Sequence, residues 1–221
     1  MDISRIFSAC LLFVGLFIVA CQDDDQCTRG SGEVVTRDVD VQSFTAISNS
    51  SFVDISIGAN TQQAISVTAE DNIIDEIQFD FSDAILTIGD NLDCVSTNQE
   101  GTAEVASSEL TQVINSGNGD MRGTPDLSNA EIINSGNGDI DFQGDEVASL
   151  TIVSSSNGDV TIGHTITLEA NVGNSGNGDI YVTVEGTLDV AISGNGDVYY
   201  TGSPSSVSAT ITGNGELIDN N

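Results

Sequence analysis

The chain has 221 residues, room for one or two modest domains. Its 34 acidic residues face only four arginines and no lysine, for a formal net charge of −30. That balance excludes a nucleic-acid partner and a polybasic membrane patch, both of which need clustered Lys and Arg. A solvated surface is the simplest account of the acidity; cation binding, or a salty medium that screens self-repulsion, are the others.

Residues 1–20 read as a signal peptide. Arg5 supplies a thin positive start, and the apolar run from Leu11 to Ala20 is too short to span a bilayer but right for a signal core. The run ends in Ile18-Val19-Ala20-Cys21, which resembles the lipobox of bacterial lipoproteins. The resemblance implies cleavage before Cys21 and lipid attachment there, giving an outer-membrane anchor; an ordinary secretory signal is the alternative. Several acyl chains on one cysteine hold stably where a single chain binds only marginally. Residues 21–32 form an acidic tether. Its Gln22-Asp23-Asp24-Asp25-Gln26 resembles the tag that sends lipoproteins of the Bacteroidetes group to the outer face of the outer membrane. A plain flexible tether, with the protein on the periplasmic face, is the competing reading.

Of the four cysteines, Cys10 leaves with the signal and Cys21 takes lipid, so Cys27 and Cys94 remain as a pair in an oxidising compartment. Zinc would need more ligands, and His164 is the only histidine. A disulfide is the expectation.

Residues 33–108 read as a smaller β-rich N-terminal region. Val53–Ile57 and Ala64–Thr68 alternate apolar and polar residues as half-buried strands do. Asp71–Ile77 suggests one helical turn capped by Asp71. Phe79, Phe81, Ile85 and Ile88 return to strand periodicity, and residues 91–108 read as a loop leading into the repeats.

Residues 109–219 carry the dominant pattern. The phrase Asn115-Ser116-Gly117-Asn118-Gly119-Asp120 returns at 134–139, 154–159, 174–179, 192–197 and, fading, at 211–216. Its second asparagines, Asn118, Asn137, Asn157, Asn177, Asn195 and Asn214, are spaced by 19, 20, 20, 18 and 19 residues. After each acidic residue comes an apolar one: Met121, Ile140, Val160, Ile180, Val198 and Leu217. In the central copies period two continues, so Asp141, Thr161, Tyr181 and Tyr199 fall on the outer face. A meander of Asn-Gly hairpins competes with a solenoid. Only the solenoid explains why the period holds while the turns vary, so a right-handed β-helix or related β-solenoid is expected.

The opening strand near Phe44–Ile47, the Val53-Asp54-Ile55 strand and the run of Gly-Asn-Gly-Asp phrases together resemble the head GIN domain of putative auto-transporter adhesins, over roughly residues 35–215. The resemblance implies an all-β, solenoid-like protein at the bacterial surface without an assigned enzyme activity. Ser156 stands where Gly is usual and Glu216 where Asp is usual.

Stacking would align the second asparagines as a hydrogen-bonded ladder, with positive φ at the Asn-Gly corner as a further reason for those residues. It would also align Asp120, Asp139, Asp159, Asp179, Asp197 and Glu216, carboxylates about 5 Å apart that repel by roughly 1 kcal/mol even in water. Either turn N–H groups hold each one, or calcium does, since its hard oxygen coordination suits Asp and Asn. The spacing does not meet the nonapeptide calcium-roll motif. No nucleophile elbow, zinc signature or P-loop occurs, and Arg122 and His164 fall in different repeats. The expectation is a non-enzymatic surface lipoprotein, adhesin-like, that binds a glycan, cell or matrix partner. A structural envelope component and a carbohydrate-active enzyme on a β-helix are the alternatives.

Overall fold

The computed structural model describes residues 27–144 and 146–221, with the side chains of residues 164 and 165 left out. The signal segment, the lipid site Cys21 and the acidic tag at 22–26 lie outside the described residues.

From residue 27 the strands are β1 (Thr28–Arg29), β2 (Val34–Val39), β3 (Ala46–Asn49), β4 (Asp54–Ala59), β5 (Ala64–Glu70), β6 (Ile77–Ser82), β7 (Ile85–Asp90), β8 (Val95–Ser96) and β9 (Thr102–Ser107). The repeats add β10 (Leu110–Asn115), β11 (Met121–Thr124), β12 (Leu127–Asn134), β13 (Ile140–Gln143), β14 (Val147–Ser154), β15 (Val160–Asn174), β16 (Ile180–Ile192), β17 (Val198–Thr201), β18 (Ser206–Ile211) and β19 (Leu217–Asp219). Strands before the phrase pair in parallel with strands before the next phrase: β10 with β12, β12 with β14, β14 with the second half of β15. Strands after the phrase do the same on a second face: β11 with β13, β13 with β15, β16 with β17 and β17 with β19. One circuit of chain per phrase, in parallel register that shifts only between Leu110 and Gln112, Ile162 and Ile166, and Thr167 and Glu169, is a β-solenoid. A hairpin meander would pair the strands antiparallel.

The register stacks like on like. Ile140 lies beside Val160, Val160 beside Ile180 and Ile180 beside Val198, all buried. On the other face Ile132, Ile152, Val172 and Val190 form a matching buried column, and the two columns share one core. β16, and β14 from Leu150 onward, are buried on alternate positions, the period of two read from the sequence.

The solenoid reaches back beyond the six phrases. Asn49-Ser50-Ser51-Phe52-Val53-Asp54 joins β3 to β4, and those strands pair in parallel with β10 and β11. This is a degenerate copy of the same corner. After β4 the chain leaves the stack. It lays β7 on the far side of β3 and β9 on the far side of β4, both parallel, then adds antiparallel β6, β5 and β2 as outer strands. Mixed pairing of this kind closes the N-terminal end and covers edges that would otherwise invite another chain.

Three local expectations change. Residues 102–107 form the strand β9, with Ala103, Val105 and Ser107 buried, where a loop was expected. Small apolar residues suffice there because the strand lies between β4 and β5. The helical turn is a 3₁₀ segment at Ile74–Glu76 whose N-cap is Ile73. Asp71 accepts a hydrogen bond from Ser31 Oγ instead. His164, which beside Gly163 reads from the sequence as an exposed turn residue, lies inside β15 instead. Cys27 and Cys94 form a disulfide that ties the two strands of the short β1–β8 pair together at their start.

Candidate functional site

The corner phrase is built from three sets of hydrogen bonds. The first asparagine points inward and is buried. Asn115, Asn134 and Asn174 donate from Nδ2 to the carbonyls of Gly119, Gly138 and Gly178 at 2.9–3.0 Å, closing each corner on itself. Buried amides must be satisfied in this way, because an unpaired one costs about 1–3 kcal/mol. Where Ser154 replaces this asparagine, Ser156 replaces the usual glycine. Their hydroxyls lie 3.0 Å apart, and Ser156 Oγ donates to the Gly158 carbonyl at 2.8 Å. Two hydroxyls thus do the work of one amide, which explains the departure at Ser156.

The second asparagines form the outer ladder. Asn137, Asn157, Asn177, Asn195 and Asn214 each donate from Nδ2 to Oδ1 of the preceding one, Asn118 through Asn195, at 2.7–2.9 Å. Positive φ plays no part here: none of the phrase's asparagines or glycines adopts it. The glycines answer to close approach. A Cβ on Gly136 would lie 2.0 Å from the Gly117 carbonyl oxygen, and one on Gly178 would lie 2.0 Å from that of Gly158. In those coils the neighbouring carbonyl leaves no room for a Cβ; only the coil of Ser156 takes a side chain at the place of Gly136, turning its hydroxyl onto the Gly158 carbonyl.

The acidic column has a similar explanation. Oδ1 of Asp54, Asp120, Asp139, Asp159, Asp179 and Asp197 accepts the backbone N–H of the next acidic residue in the column at 2.7–2.8 Å, up to Glu216. These charge-assisted bonds offset the repulsion between neighbours. The second oxygens face outward. Arg122 donates to Oδ2 of Asp120, and the Tyr181 and Tyr199 hydroxyls reach Oδ2 of Asp179 and Asp197 at 3.5 and 3.3 Å. Among the described residues, no group of three or more His, Cys, Asp or Glu side chains lies together as a metal site.

Beside that column runs the outer row of the second sheet. Cross-strand pairing sets out Glu104, Ser56, Arg122, Asp141, Thr161, Tyr181 and Tyr199 in order along the stack. The row is polar and charged until it becomes aromatic. Tyr181 and Tyr199 stack with centroids 4.7 Å apart and planes 8° from parallel. The pair is half-buried. The phenol of Tyr181 is pushed above the ordinary 10.0 by burial first and then by the Asp179 and Asp159 carboxylates. Tyr199 is raised likewise, by burial and then by Asp179 and Asp197. A cavity of about 230 Å³ opens against the pair, walled by Gly163, Thr183, Thr201 and Asn220. Nothing in the sequence marked the cavity, because it depends on which residues of four successive coils become neighbours. The inward role of the first asparagine was missed, although the signal was present: it follows Val113 and Ile132 by two and so falls on their face.

The solenoid resembles solved structures. It superposes with a TM-score of 0.62 on a crystal structure described as a putative adhesin from Bacteroides fragilis, at 22% identity, covering 86% of this chain and 98% of that one. Similarity extends to a putative adhesin from Parabacteroides merdae at 18% identity and TM-score 0.44, covering 87% and 99% of the two chains. A putative lipid binding protein from Parabacteroides distasonis matches at 18% identity and TM-score 0.46, over 87% and 99%. Comparison with curated proteins finds no match. One family model matches twice, over residues 43–166 and 89–204, as a repeat that fits in two registers should. Taken together the two matches span most of the chain, and the protein belongs to the family described as "Putative auto-transporter adhesin, head GIN domain".

Proposed function

We propose that the protein is a non-enzymatic surface lipoprotein whose solenoid presents a binding face to a glycan, a neighbouring cell or the matrix. In this reading Cys21 carries the lipid, and the acidic tether at 21–32 places the solenoid on the outside of the outer membrane. One observation carries the proposal. The phrase spends its hydrogen bonds inside the stack, whereas the outer row beside it carries, one place before its end at Ile218, a stacked aromatic pair with a cavity against it. Aromatic side chains held on a rigid scaffold are what binding surfaces use as anchors. Arg122, the arginine of the repeats, is engaged by Asp120 and is not poised for proton abstraction. The family's name points the same way.

The proposal is tested on whole cells. Added protease should remove the protein from intact cells, and cells lacking it should adhere less to glycan- or matrix-coated surfaces. Protection from protease would refute the surface location. Accessibility with unchanged adherence would leave a structural envelope component as the better reading.

A further inference from the structure

The cavity beside Tyr181 and Tyr199 is open for a reason that stacking does not supply. Gly163 lines the gap; its register partner in the preceding coil is Gln143, while in the next coil the register shifts after Ile162, so that Thr183 pairs with Ile166 on one side and Thr201 on the other. Gly163 differs from the corner glycines: a Cβ there would meet only Thr161 Cγ2, at 3.7 Å, and its φ is not in the left-handed region. The fold does not require a glycine at this position. Its absent side chain serves the cavity.

We infer that this cavity is a subsite for one neutral pyranose ring of a surface glycan; the inference rests on the binding function proposed above and names the ligand class of that face. Size agrees first. At about 230 Å³ the space falls below the roughly 300–1,000 Å³ of sites for drug-sized ligands, as a single sugar ring would need. Shape agrees next. Tyr181 stacks on Tyr199 on one side, but its neighbour on the other is Thr161, too short to cover the ring. The C–H face of a pyranose carries slight positive charge and suits the negative face of an aromatic ring.

Polar groups lie where sugar hydroxyls would meet them. Thr183 and Thr201 line the cavity with hydroxyls hydrogen-bonded to each other at 2.9 Å, and Asn220 lines it as well. Since the phenols turn their hydrogens toward Asp179 and Asp197, their oxygens are left as acceptors. Charge settles the class of sugar. Among the described residues the lining holds no Lys or Arg, and carboxylates flank it, so sialylated, uronic or sulfated rings are repelled.

The chain has three tyrosines, Tyr181, Tyr199 and Tyr200, and no tryptophan, so tyrosine emission reports on this part of the surface alone. The full chain is screened on an array of neutral, sialylated and sulfated glycans. Emission is then titrated with the free form of any neutral hit, with N-acetylneuraminate and with spermine. The expected result is a saturable response to a neutral saccharide, none to N-acetylneuraminate, and little change in affinity at about 0.5 M salt. Gly163→Leu should weaken binding about tenfold or more with melting unchanged, and Thr201→Val several-fold. A neutral-glycan response that is untouched in Gly163→Leu, Thr201→Val and Tyr181→Ala would place the site elsewhere, overturning the inference while the binding function stands. A spermine response lost in salt, with no saccharide response, would assign the cavity to a cationic ligand and overturn it also. Silence on the array, with unchanged adherence of cells lacking the protein, would overturn inference and function together.

Discussion

Asp139 Oδ1 accepts the backbone N–H of Asp159, one coil away, at 2.8 Å. The carboxylate column is therefore a set of inter-coil links that use one oxygen each and leave the other to solvent, Arg122 or tyrosine. Asp139→Ala removes the acceptor and should cost about 1–2 kcal/mol in denaturant melts. Asp139→Asn keeps an oxygen in place and lowers the repulsion along the column, so its stability should lie within about 0.5 kcal/mol of the parent. Calcium added to chelated protein should leave the melting temperature unchanged. A rise of several degrees would show that the free oxygens gather an ion after all.

Glycines of two kinds should respond differently to the same change. Gly178→Ala drives a Cβ to 2.0 Å from the Gly158 carbonyl oxygen and should cost about 3 kcal/mol or more, because backbone in a stacked coil has nowhere to move. Gly163→Ala meets only ordinary contact and should stay within about 0.5 kcal/mol. Paired urea melts of the two variants check the distinction.

The Cys27–Cys94 bond closes a loop of 67 residues. On the chain-entropy model such a loop contributes roughly 4 kcal/mol by restricting the unfolded chain. Reduction, or a Cys27→Ser/Cys94→Ser pair, should lower the melting temperature markedly while the repeat ladders persist in the far-ultraviolet spectrum at low temperature.

Alkali should loosen the tyrosine wall. The phenols of Tyr181 and Tyr199 titrate above the ordinary 10.0, so the folded state favours their protonated form. Stability from this source is fully present below pH 10.0 and is lost as pH rises through the higher folded values. Melting temperature should fall over that window in the parent and fall less in Tyr181→Phe/Tyr199→Phe. Absorbance titration should place tyrosinate formation above 10.0 in the folded protein.

The period near twenty residues made the solenoid legible, because a stacked coil must repeat its corner wherever it repeats its register. That logic fails where the chain leaves the stack. Asn49–Asp54 is a corner of the same design, yet Asp54 stands 66 residues before Asp120, since an excursion through β5, β6, β7 and β9 intervenes. The strand at 102–107 was hidden for a related reason: its partners β4 and β5 set its burial, and Ala103 alone carries little signal. Within the phrase, the sequence marked the right residues but suggested one wrong cause. Glycine and asparagine looked like left-handed corners, whereas the neighbouring coil's carbonyl is what excludes a side chain. The Tyr181–Tyr199 pair could be placed outside by alternation, but its cavity needed the third dimension.

In the division of labour proposed above, the repeated phrase holds the stack and the tyrosine face binds. The most direct measurement compares neutral-glycan binding by the parent, by Asp120→Asn/Asp139→Asn and by Gly163→Leu, each confirmed as folded by its melt. The account predicts parental affinity for the ladder variant and a loss of about tenfold or more for Gly163→Leu. Binding lost in the ladder variant and retained in Gly163→Leu would contradict it.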